Sequence, residues 1–129
     1  MMVIDSSAIV AVALDEPEAD SLAGLLSTDE ELGVAGASYV ECVMVLSGRG
    51  KGRAWLDDFV SANEITILPS DERQARLAAD AFERYGRGKG HGARLNFGDC
   101  FAYAAAKALD APLLFKGDDF RHTDVKSAA

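Results

Sequence analysis

Met1-Met2-Val3-Ile4-Asp5-Ser6-Ser7-Ala8 opens the chain with an apolar run that stops at an acid and is followed by two hydroxyl residues. The run Met1–Ile4 is short, apolar and partly β-branched, and reads as a buried strand ending at Asp5. Ser6 or Ser7 is placed to cap a helix over roughly 8–14, because a hydroxyl there accepts from the first free amides.

Working outward, the same alternation continues. Glu16-Pro17-Glu18 starts a second helix, with Ala19, Leu22, Leu25 and Leu26 at helical spacing. Leu32–Ala35 reads as a strand, followed by a helix from a Ser38 cap to Leu46. Ser47–Gly52 breaks that helix, and a further one carries Trp55, Leu56, Phe59 and Val60 on one face. Ile65–Leu68 is a strand. Ser70 is expected to cap a long helix to Tyr85, supported by Glu72 and Arg76 at i, i+4. Gly86–Gly92 holds four glycines and reads as a loop. A helix over 97–109, a strand over 112–115 and a turn over 116–119 follow. A brief strand near Asp124-Val125 and a frayed tail over 126–129 complete the reading. Strands alternating with helices predict an α/β fold, with a mostly parallel central sheet flanked by helices. The length of 129 residues suits a single domain spanning 1–129.

Composition excludes several classes. Hydrophobic residues make up 49% and charged residues 26%, ordinary values for a globular chain. No apolar run is long enough to span a membrane, and the N-terminus lacks a basic leader region, so a cytoplasmic location is expected. Cys42 and Cys100 show no zinc spacing and sit in apolar helical runs, where they read as small buried hydrophobes. The net charge of −8 opposes a nucleic-acid partner only on average. Residues 1–48 hold nine acids and no Lys or Arg, whereas all thirteen basic residues lie in 49–129. Arg84, Arg87, Lys89 and Arg94 form one stretch with no acid among them, and Arg49, Lys51 and Arg53 form a second glycine-spaced basic loop. Such cations can hold phosphates without reading bases.

Four acids are candidates for chemistry. Asp5 and Asp118 each follow a strand, at the carboxyl edge where open α/β sheets bind ligands. Glu41 lies among Val40, Cys42, Val43, Met44, Val45 and Leu46. On so apolar a helix it is expected to face inward beside Met44 and Val45, and then needs an Arg, a proton or a metal as partner. Asp99 sits in the first turn of its helix, which by itself favours an acid. Crowded carboxylates repel one another without a cation, and Mg²⁺ or Mn²⁺ prefers such oxygen ligands. There is no Walker-type loop and no GxSxG, and neither His91 nor His122 sits in a ligand pattern. Phe97 and Phe101 are expected in the core, and Trp55 in the core or at an interface.

Met2-Val3-Ile4-Asp5-Ser6-Ser7-Ala8, Ser38-Tyr39-Val40-Glu41, Leu95-Asn96-Phe97-Gly98-Asp99-Cys100-Phe101-Ala102-Tyr103 and Leu114-Phe115-Lys116-Gly117-Asp118-Asp119-Phe120 together resemble the four motifs of PIN-domain ribonucleases. Among these the chain is similar to the VapC toxins of bacterial type II toxin–antitoxin systems. The resemblance implies a PIN-like fold and Mg²⁺- or Mn²⁺-dependent endoribonuclease activity. It makes Asp5, Glu41, Asp99 and Asp118 the metal-holding, catalytic acids, with Asp5 and Asp99 the surest. It gives Ser7 and Asn96 supporting roles and leaves Asp119 as the alternative to Asp118 in the fourth motif. It implies an RNA substrate, a small VapB-like antitoxin as partner, and a homodimer. Two other readings stay open. One is a phosphate-receiver or phosphatase-like domain using Asp5 as phosphoacceptor with Lys116 nearby. The other is a PIN-like domain that binds RNA or protein without cutting.

Overall fold

The computed structural model describes residues 1–90 and 92–129; His91 lies outside the described residues. In chain order the elements are β1 (Met2–Ile4), α1 (Ser6–Ala13), α2 (Ala19–Leu26), β2 (Leu32–Ala35), α3 (Gly36–Ser47), α4 (Arg53–Ala62), β3 (Ile65–Leu68), α5 (Glu72–Tyr85), α6 (Phe97–Ala108) and β4 (Leu113–Leu114). A 3-10 turn follows at Asp119–His122.

The strands form one four-stranded sheet in the order β3-β2-β1-β4, and every pairing is parallel. The α/β architecture expected from the alternation is therefore present. Because successive strand residues point to opposite faces, the sheet feeds two cores. Met2, Ile4, Leu32, Val34, Ile65 and Leu114 pack with residues of α1, α2, α3 and α4. Val3, Ala35, Leu68 and Leu113 pack with α5 and α6 on the other face. Gly33 sits where a Cβ would lie 2.9 Å from a Leu68 methyl, so the small residue lets β2 and that leucine close up.

The order places a topological switch at β1. The chain leaves β1 for β2 and β3 on one side, then crosses to β4 on the other. The crevice at the carboxyl ends of β1 and β4 is where such a sheet binds ligands. The amide of Asp5 donates to the Leu114 carbonyl at 2.8 Å, which locks the two strand ends together there.

Local details differ from the sequence reading at the caps and the tail. Asp5, not Ser6 or Ser7, caps α1, its side chain accepting from the Ser7 amide. Asp71, not Ser70, caps α5 by accepting from the Gln74 amide. Helix α3 starts at Gly36, two residues before Ser38, without a side-chain cap. At α1 and α5 an Asp beside the serine takes the cap, whereas α3 is entered through Ala35, which has no capping side chain. No strand forms at Asp124-Val125. Instead Leu113 bridges Ser127, with the Leu113 amide donating to the Lys126 carbonyl and the Ala128 amide to the Leu113 carbonyl. The tail is thus pinned to β4 rather than frayed, because β4 is an edge strand whose free backbone groups need partners.

Candidate acidic site

Asp5 is fully buried, and its two oxygens fare differently. One, Oδ2, accepts from the Ser7 amide at 3.0 Å. The other, Oδ1, is buried with no hydrogen-bond partner among the described residues. The Ser7 hydroxyl, which hydrogen-bonds Asp5, also accepts from the Lys116 amide at 3.0 Å. Ser7 therefore ties the end of β1 to the segment after β4. Burial raises the Asp5 carboxyl from 3.8 to about 7. The Ser7 hydrogen bonds oppose the rise, and the charges of Asp99 and Glu41 add to it.

Asp99 enters from α6. Asn96 and Asp99 form a reciprocal cap: the Asn96 side chain accepts from the Asp99 amide at 2.8 Å, and the Asp99 carboxylate accepts from the Asn96 amide at 3.0 Å. Such a box satisfies two otherwise free amides and fixes the side-chain orientation. Burial raises Asp99 from 3.8 to about 6 despite the Asn96 bond. Glu41 and Asp119 add to the rise and Arg87 opposes it.

Glu41 reaches the same place from α3, which packs against α6. It is half-buried, and its Oε1 accepts from the Ser6 hydroxyl at 2.7 Å. The apolar residues it shares a face with are not buried as expected: Met44 is 72% exposed, and Val45 is exposed too. The periodicity of α3 is too weak to orient it, since nearly every position there is apolar. Ser6 is a contact that sequence reasoning missed, and nothing in a run of two serines marks which one turns toward an acid on another helix.

The fourth motif divides. Asp118 precedes the 3-10 turn, is 86% exposed, and lies 3.7 Å from Arg121. The charge of Asp119 adds to the rise at Asp99. Replacing Asp119 with Asn is expected to lower activity at least about 10-fold, the scale for groups that tune a site's acids, and Asp118→Asn by less than about 3-fold. Comparing initial cleavage rates of the two variants checks this, and the reverse order would return the role to Asp118.

The basic residues also divide. Arg84 lies 3.8 Å from Asp124 and over the Tyr85 ring, and Lys89 lies over the Phe82 ring. Arg94 is exposed, with a left-handed φ of 52°. The charge of Arg87 acts on Asp99, and its amide donates to the Leu95 carbonyl at 3.0 Å. In the second basic loop, Arg53 pairs with Asp57 and Lys51 lies over Trp55. Lys116 is held by Glu16 at 2.6 Å and Glu18 at 3.2 Å, so it is committed away from the role a phosphate receiver would require.

Among the aromatics, Phe97 is 77% exposed rather than in the core, because the first turn of α6 points it off the surface. Phe101 packs against the α5–α6 core, and Trp55 stacks on Phe59 against the other core. Both cysteines are buried and free, as expected of small hydrophobes, and burial pushes the Cys42 thiol up to about 12. Among the described residues no helix is long and apolar enough to cross a membrane.

Asp5 stands at the switch point of this parallel sheet, and the charges of Asp99 and Glu41 act on it. The PIN domain family model covers residues 2–126, and the chain belongs to that family. Ribonuclease VapC28 of Mycobacterium tuberculosis is 45% identical over 130 residues, covering 98% of this chain and 97% of that one. Among solved structures, Mycobacterium tuberculosis VapC20, described as a sarcin-ricin loop cleaving toxin, superposes with a TM-score of 0.75 at 15% identity, covering 97% and 96% of the two chains. A toxin–antitoxin complex from Klebsiella pneumoniae gives a TM-score of 0.71 at 12% identity, covering 96% and 93%.

Proposed function

We propose that this chain is a metal-dependent endoribonuclease that hydrolyses RNA phosphodiester bonds, and the toxin of a type II toxin–antitoxin pair located in the cytoplasm. The carrying observation is Asp5: a fully buried carboxyl with one oxygen unpartnered, beside the charges of Asp99 and Glu41. A buried oxygen without a partner is costly unless something supplies a positive charge. Among the described residues, no three acid, His or Cys side chains converge closely enough as placed to cage an ion. The donor set nevertheless fits a hard cation, since all the contributors are carboxylates and their mutual repulsion is relieved by one.

Asp5 and Asp99 would hold Mg²⁺ or Mn²⁺, with Glu41 and Asp119 completing the acidic shell. When bound, the ion supplies Lewis acidity toward the scissile phosphate and makes water a competent nucleophile at neutral pH. The chain's own groups do the positioning. Ser7 fixes Asp5 through both its amide and its hydroxyl. Asn96 fixes Asp99, and Ser6 fixes Glu41. Arg87, whose charge acts on Asp99, would hold a phosphate of the substrate strand. The test is cleavage of total cellular RNA by purified, partner-free protein. Discrete products with Mg²⁺ or Mn²⁺ and none with EDTA are expected. No metal binding at all would overturn the reading.

The partner reading is a small VapB-like antitoxin, supported by full-length similarity to VapC proteins. The homodimer reading has a surface to support it. Phe97 stands between two apolar hollows of ≈480 Å³ and ≈570 Å³, one walled by α5 and α6 and the other by Val40, Met44 and Val45. A ridge beside a hollow can complement itself across a two-fold axis, and an exposed apolar face of this kind marks an interface. Light scattering of the purified protein is expected to give a dimer, and the Met44→Asp, Phe97→Asp double variant a monomer. A monomeric wild type would rule out the second copy and leave the antitoxin to cover this face.

A further inference from the structure

We propose that Gly98 is the positioning residue for Glu41, its bare Cα forming the floor on which that carboxylate rests. This rests on the reading of Glu41 as part of the nuclease site.

Three elements meet here. Glu41 projects from α3, the Ser6 hydroxyl at the start of α1 donates to its Oε1 at 2.7 Å, and the first turn of α6 lies beneath. A Cβ built on Gly98 would lie 2.5 Å from Oε1, 2.6 Å from Oε2 and 2.7 Å from Cδ of Glu41. No side chain larger than hydrogen leaves the carboxylate where it is.

The backbone does not call for this glycine. Gly98 lies inside α6 and is not in the left-handed region, unlike Gly50, Gly88, Gly90 and Gly117. Alanine is the better helix former at such a position. The obstructed atoms are the far end of a flexible side chain, so Gly98→Ala can be absorbed by swinging Glu41 aside, away from Ser6. Fold stability and site geometry therefore respond in opposite directions.

The experiment is a cycle of Gly98→Ala, Glu41→Asp and the double variant, with melting temperature, cleavage rate and Mn²⁺ binding measured on each. Gly98→Ala is expected to melt at or above the wild-type temperature while kcat falls on the order of 10-fold or more with KM little changed. Shortening Glu41 by one methylene removes the clash. Adding Gly98→Ala to Glu41→Asp is therefore expected to cost less than about 2-fold further, a non-multiplicative outcome that marks direct coupling. Multiplicative penalties, or a Gly98→Ala variant with wild-type kcat, would overturn the proposal. A Gly98→Ala variant that melts well below wild type would also overturn it, by making the glycine a packing requirement. Should the wild type cut no RNA, the nuclease reading fails separately, and the same cycle is decided on Mn²⁺ affinity alone.

Discussion

Asp99→Asn is expected to keep the fold and to lower RNA cleavage by on the order of 10³-fold, the scale for removing one charge-stabilising group from an enzyme site. Asparagine is isosteric, and its amide oxygen can still accept from the Asn96 amide, so the reciprocal cap at the start of α6 survives in part. Losing a cap outright costs about 1 kcal/mol. Against that stands the relief of a carboxylate whose burial and acidic neighbours push it up to about 6. The melting temperature should therefore barely move while activity collapses. Parallel RNA digests and thermal melts of the two proteins check both halves. A variant that cuts at the wild-type rate would remove Asp99 from the site.

The second large effect is on stability, in metal-free protein. Asp5 ionises near 3.8 when unfolded but near 7 when folded, with burial the main cause. Between those values the folded state holds a proton that the unfolded state has released. Stability is thus fully present below about pH 4, falls as pH rises through this window, and levels off above about 7. Asp99 acts in the same direction up to about 6. At 1.36 kcal/mol per pH unit, the Asp5 shift corresponds to ~4 kcal/mol at most. Asp124, whose carboxyl is lowered by Tyr103, Lys107 and Arg84 against a desolvation cost, acts only below its ordinary value and lies outside the window. In EDTA the protein should melt at a higher temperature at pH 5 than at pH 8. Asp5→Asn should flatten that slope and raise the melting temperature at pH 8, while abolishing cleavage. Added Mg²⁺ or Mn²⁺ should stabilise the wild type at pH 8 and leave the variant unmoved. A melting temperature that climbs from pH 5 to pH 8 in EDTA would contradict a buried Asp5 carboxyl held above its ordinary range.

These two results would also separate the binding-only reading from the enzyme. Cation stabilisation with no cleavage of any RNA would describe a domain that binds without cutting. Loss of both on removing Asp5 or Asp99 ties the chemistry to these two acids.

Much of this was legible along the chain, for a physical reason. Strand and helix signals are local, repeating every two or 3.6 residues, so Met2–Ile4, Ile65–Leu68 and the helix ending at Tyr85 could be read from their own windows. The positions of Asp5, Glu41 and Asp99 on a strand end and two helices followed, and with them the expectation of an acidic site at the sheet's carboxyl edge. Cap choices were not legible, because neighbouring Asp and Ser residues are chemically equivalent until packing selects one.

By itself, then, the sequence determined the α/β alternation, the parallel sheet and the acids offered to a cation. Only the tertiary structure decided which groups meet. It set Asp118 3.7 Å from Arg121 and brought the charge of Asp119 to bear on Asp99. It exposed Met44 and Phe97, although both are apolar, beside hollows lined by α3, α5 and α6. It left one oxygen of Asp5 unpartnered and laid Glu41 across the bare Cα of Gly98. Such contacts join residues far apart in the chain. They depend on the angle and distance at which whole elements pack, which no local period encodes.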